Sequence, residues 1–134
     1  PQSLQALCDG KHFEYLGFQE DLDSWIHNTR LVYSFLPGGS GVKTKIIEGL
    51  AFNKKVVCDY ESAHAVPDLI PHGIIVAESI EDAWQKTIAA LAEECTAPLP
   101  ENNTREYIIE HYSWDNLIGR YIAFAEDLVS NKNI

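Results

Sequence analysis

The sequence predicts an α/β fold, a Rossmann-like doubly wound parallel sheet within a single domain, and three observations predict it. Short apolar runs at residues 31–35, 56–58 and 73–76 alternate with stretches of helical period. No two of these runs are joined by an Asn-Gly or Asp-Gly hairpin turn, so successive strands should lie parallel with helices on both faces. The 134 residues suit one domain and can bury roughly 68% of the unfolded surface.

The elements follow in order. Leu4, Leu7 and Cys8 form an apolar face that Asp9-Gly10 breaks, as at the tail of a helix. Residues 12–16 alternate as a short strand closed by Gly17, and residues 21–28 form a helix of one or two turns with Leu22, Trp25 and Ile26 on one side. After the apolar strand 31–35, the loop from Pro37 through Gly38, Gly39 and Ser40 to Gly41 is one that no regular element tolerates. A helical period then starts at Val42, with Val42, Ile46, Ile47, Leu50 and Ala51 in one stripe and Asn53 where a left-handed cap is expected. Residues 59–72 carry two prolines and read as a loop holding at most one helical turn. Ser79 and Asp82 have capping-box spacing at the start of a long helix whose expected buried face is Ile80, Ala83, Trp84, Ile88 and Leu91. Beyond a linker at 96–100, Asn103 with Glu106 opens a short helix to about His111. Ser113 caps the last helix, with Leu117, Ile118, Tyr121, Ile122 and Leu128 as its expected buried face. Trp25, Trp84 and Trp114 all fall at helix-face positions expected to be core.

Charge and cysteine usage narrow the function classes. Ten Lys plus Arg stand against twenty Asp plus Glu, a net charge of −10, which repels nucleic acid and anionic membrane unless basic residues cluster. No stretch approaches the ~20 apolar residues of a membrane span. Cys8, Cys58 and Cys95 are odd in number and contain no Cys-x-x-Cys, which argues against a zinc site or a disulfide framework and for a reducing, cytoplasmic setting. The five histidines have no metal spacing, and His64, after the second strand, is the one nearest the expected ligand edge.

The glycine loop carries the most chemistry. It follows a buried strand and leads straight into a helix whose first amides, near Val42, Lys43 and Thr44, lack intrahelical acceptors at the positive end of the helix dipole. Lys43 and Lys45 add positive charge that is locally unfavourable there unless an anion is bound. The expected ligand group is a diphosphate, with a tight turn and two solvated lysines as the alternative. A P-loop ending at Lys43-Thr44 would need Gly where Pro37 and Val42 stand, and a dinucleotide fingerprint from Gly39 would need Gly or Ala where Thr44 stands. Glu48 lies off the apolar stripe, where a carboxylate could accept two ribose hydroxyls or pair with Lys45 at i,i+3.

Gly17, then Pro37…Gly41-x-Lys43-x-Lys45-Ile-Ile-Glu48-Gly-Leu-Ala51, then Lys54-Lys-Val-Val57, and finally Tyr112-Ser-Trp114, together resemble the donor half of GT-B glycosyltransferases of the retaining group 1 (family 4) type. The resemblance runs from Phe13 to about Leu128. It implies a nucleotide-diphosphate-sugar bound with its diphosphate at Gly39, Ser40, Gly41, Val42, Lys43 and Thr44, its ribose at Glu48 and its base near Phe18. It implies transfer with retention and without a metal or other cofactor. The chain departs from the family pattern at Ser40, where many members have a first Glu, and at Asn53-Lys54-Lys55, where Gly-x-Pro is usual. The family also has a strand and helix ahead of Phe13 and a separate N-terminal acceptor domain, sometimes with peripheral membrane association of the whole enzyme. Together with Pro1 as first residue, this gives the expectation of a C-terminal part that is inactive alone. A nucleotide-sugar epimerase of the same architecture and a non-catalytic α/β assembly module are the competing readings.

Overall fold

A computed structural model describes residues 8–38, 43–94 and 103–130. Among these residues the architecture is α/β, with an open three-stranded parallel sheet and six α-helices, compatible with a Rossmann-like fold. In chain order the elements are α1 (Leu22–Asn28), β1 (Leu31–Ser34), α2 (Thr44–Ala51), β2 (Lys55–Asp59), α3 (Tyr60–His64), a 3-10 segment (Pro67–His72), β3 (Ile74–Ala77), α4 (Ile80–Glu94), α5 (Thr104–Tyr112) and α6 (Trp114–Ser130). Strand order is β1-β2-β3, with Val32 beside Val56 and Val56 beside Ile74 in register.

Alternation along β2 splits the core into two layers. Val56 and Cys58 join Ile46, Leu50, Leu69 and Ile108 on one face, while Val57 joins Ala77 and Ala83 on the other. Helix α2 can lie this close to the sheet because of Gly49. A Cβ built there would meet Val56 Cγ2 at 2.9 Å and Val32 Cγ2 at 3.1 Å. The helix ends in a Schellman motif: Lys54 N donates to Gly49 O, Asn53 N donates to Leu50 O, and Asn53 sits at φ +56° as its side chain type allows. Helix α5 is clasped to the 3-10 segment by Asp68, which accepts from Tyr112 at 2.8 Å and from Tyr107 at 3.1 Å.

Several expectations are corrected. Residues 12–16 form no strand. The Asp9 carboxylate accepts from the amides of Lys11, His12 and Phe13, which curls the chain there, and Phe13 and Leu16 stay exposed. The 59–72 stretch, expected to be mostly loop, holds α3 and the 3-10 segment, because Asp59 caps α3 by accepting from Ser62 N. The buried face of α4 is Ala83, Thr87 and Ala90; Ile80, Trp84 and Ile88 are exposed. Small residues let this helix approach the sheet, and Thr87 becomes compatible with burial by donating its hydroxyl to Ala83 O at 2.7 Å. Helix α6 buries no residue at all, so Ile118, Tyr121, Ile122 and Leu128 face outward and Leu117 is only half-buried. Trp25, Trp84 and Trp114 are likewise exposed rather than core. Trp84 stacks on Tyr33 at 5.6 Å, and Trp25 donates its indole N–H to Gln19.

Candidate functional site

The connection from β1 to α2 leaves the sheet at the carboxyl end of its first strand, the side where open parallel sheets take ligands. Its beginning is a turn with Gly38 at φ +81°, a left-handed conformation that glycine adopts without strain. Gly39, Ser40, Gly41 and Val42, four of the six expected diphosphate contacts, lie outside the described residues. Helix α2 is described from Thr44, with Lys43 as its N-cap residue, and Ile46 N donates to Lys43 O.

Lys43 is held by Asp59. Its ammonium lies 3.1 Å from Asp59 Oδ2 and donates to Leu36 O at 2.8 Å, with the two charged side chains only 14% and 7% exposed. The Asp59 carboxylate is further held by the amides of Leu36 and Ser62, and the Ser62 hydroxyl lies 2.8 and 2.7 Å from its two oxygens. Burial alone would raise this carboxyl. The Ser62 hydroxyl and amide, the Lys43 ammonium and the Leu36 amide outweigh burial and hold it well below the usual range. Next to it, burial and the Asp59 charge push the Cys58 thiol up to about 11. One buried carboxylate thereby ties together the end of β1, the start of α2 and the start of α3.

Two concavities flank this junction. One, of about 200 Å³, opens over the carboxyl ends of all three strands, between Phe35, Gly38, Asp59, Tyr60 and Glu78. His64 stands behind Tyr60, its ring stacked at 3.8 Å and its Nδ1 3.0 Å from Tyr60 O. The other, of about 320 Å³, runs beside β1 and is walled by Leu22, Trp25, Ile26 and Tyr33, with Lys45 and Glu48 at its lip. Glu48 is exposed, as its place off the apolar stripe predicts. Phe18 is 91% exposed and does not line this cleft. The fold therefore brings Glu48 and Lys45 together on one cleft, and draws the Lys43 ammonium to Asp59 at the other.

Asp59 is the residue that sequence reasoning missed. Its signal was present: Asp59 and Ser62 have N-cap spacing directly after an apolar strand, the same pattern that marked Ser79. Ser34, at the end of β1, has a buried hydroxyl without a hydrogen-bond partner among the described residues. Among the described residues no group of three or more His, Cys, Asp or Glu could hold a metal ion, and no helix is long and apolar enough to cross a membrane. No protein-family model, no curated protein and no solved structure matches the chain.

Proposed function

We propose that the chain is the donor-binding domain of a two-domain, retaining glycosyltransferase and that it takes a nucleotide-diphosphate sugar. One observation carries the reading: a strand, a glycine turn and a helix meet at the carboxyl edge of a parallel sheet, and the solvent-facing Glu48 stands at the lip of an apolar cleft beside them. In this reading the base lies in the cleft against Trp25 and Leu22, in place of the Phe18 contact that the family resemblance implies, and Glu48 accepts the ribose hydroxyls. The diphosphate meets the loop and the start of α2. There the Lys43 ammonium exchanges Asp59 for phosphate oxygens, and helix amides offset charge growing on the leaving group. The second domain supplies the acceptor, so the chain alone turns nothing over.

The test is a calorimetric titration of the folded chain with UDP, GDP and their sugar conjugates. The reading expects saturable binding that Glu48→Ala weakens about tenfold, the scale of one charge-assisted hydrogen-bonding group, while the melting temperature stays put. Absence of binding at millimolar ligand, with a cooperative melt retained, would leave the α/β module without a nucleotide site. Lys43→Ala is the poorer probe, because it strands Asp59 as a buried, unpaired charge.

A further inference from the structure

The concavity of about 200 Å³ over the strand ends differs in chemistry from the cleft beside β1. The cleft is walled mainly by aliphatic side chains and an indole. The concavity has an aromatic wall, made by Phe35 and the 59% exposed Tyr60, and an acidic rim, made by Glu61 and Glu78. The Tyr60 ring is backed by the ring of His64 at 3.8 Å. The carboxylates of Glu61 and Glu78 have no hydrogen-bond or ion-pair partner among the described residues. No Lys or Arg is among the described residues that line the concavity. The two nearest lysines are engaged elsewhere, Lys43 with Asp59 and Lys45 at the lip of the other cleft.

We infer that this concavity holds the sugar of the donor and selects a neutral or amino sugar over one that bears a carboxylate. The inference rests on the donor-site reading, which puts the base in the cleft and the diphosphate at the junction between the two hollows. The sugar, on the far side of the diphosphate, then falls over the strand ends. Size agrees, because the concavity lies below the roughly 300 Å³ at which sites for drug-sized ligands begin and suits a single ring. An ionised carboxylate only accepts hydrogen bonds, so the rim takes hydroxyls or an ammonium group. The Tyr60 ring offers an apolar face to the C–H side of a sugar, with its hydroxyl free to reach a polar edge. A sugar carboxylate meets repulsion instead. At roughly 6 Å from two like charges it loses about tenfold in affinity even at the dielectric of water, and salt screens the loss.

Donors that differ only at C6 of the sugar test this: UDP-glucose against UDP-glucuronate, and GDP-mannose against GDP-mannuronate, titrated calorimetrically at low salt beside UDP and GDP. In whichever series binds, the uronate should bind about tenfold more weakly than its neutral counterpart. Glu61→Gln/Glu78→Gln, at two exposed positions, should close that gap to within about twofold with the melt retained. Glu106→Gln/Glu126→Gln removes the same charge from α5 and α6, away from the concavity, and should leave the gap in place. Equal affinity within the pair overturns the inference while the donor-site reading stands. So does a gap that the Glu61/Glu78 variant keeps, or one that the α5/α6 variant closes equally. A folded chain that binds neither UDP, GDP nor any conjugate overturns the donor-site reading itself, and the inference with it.

Discussion

In α2, Ile46, Gly49 and Leu50 are wholly sealed against the sheet; in α6, seventeen residues long, no residue is buried and the largest side chains face water. Both helices carry a clear apolar stripe in the sequence. The stripe states which face prefers to leave water, and only the neighbouring elements decide whether it does. Helix α2 has β1 and β2 beneath it and a glycine that admits them. Helix α6 follows α5 directly and runs on past the end of the layer. Amphipathic pattern is thus a statement about preference, and burial is a statement about geometry.

Substitutions can sharpen this contrast, starting with the largest effect. Asp59→Ala, at the junction that anchors α2, should cost about 3–5 kcal/mol in chemical denaturation, because it leaves the Lys43 ammonium buried without its partner. The same carboxylate sets an acid limit. Its pKa in the folded chain lies below the ordinary 3.8, so its contribution is complete above that value and fades as pH falls below it. Asp59→Asn should therefore flatten the loss of stability in an acid titration while leaving the slope near neutrality unchanged. Next, Gly49→Ala should destabilise by about 1–3 kcal/mol, since the added methyl meets Val56 and Val32 inside contact distance and α2 must lift. Its helix propensity is better than glycine's by ~1 kcal/mol, so a net gain in melting temperature would show that the close approach is not a constraint. At the small end, Phe124→Ser on α6 should change the stability of the single chain by no more than about 0.5 kcal/mol at low concentration, as expected for an exposed position. A loss comparable to that at Gly49 would erase the distinction between the two helices.

Much of the architecture was legible from residues alone, and the failures have definite physical origins. The three strands were read nearly to the residue because apolar runs flanked by breakers have few other solutions, and Asn53 was read as a left-handed cap because so few residues tolerate that geometry. Helix α4 was read with its face only partly right: Ala83 is buried as expected and Leu91 half-buried, but the large residues point outward. The large Ile80, Trp84 and Ile88 define a stripe rotated by roughly 90° from Ala83, Thr87 and Ala90, at 100° per residue. Volume misled there, because close helix–sheet contact selects small side chains. Residues 12–16 alternated like a strand, yet the Asp9 carboxylate nearby takes the amides of Lys11, His12 and Phe13. At the candidate site, the place of Glu48 on the solvent side followed from helix period. The Lys43–Asp59 pair did not, because a pairing sixteen residues apart depends on how two strand ends meet in space.

The burial of Cys58 gives the molecule a built-in witness to its own integrity. Its sulfur has no solvent exposure, and with a thiol pKa near 11 almost none of it is in the nucleophilic form at neutral pH. A maleimide or disulfide reagent can reach it only when the β1–α2–α3 junction comes apart. In a chain with Cys8 and Cys95 replaced by serine, the speed at which Cys58 is tagged therefore clocks how often the centre of the domain opens.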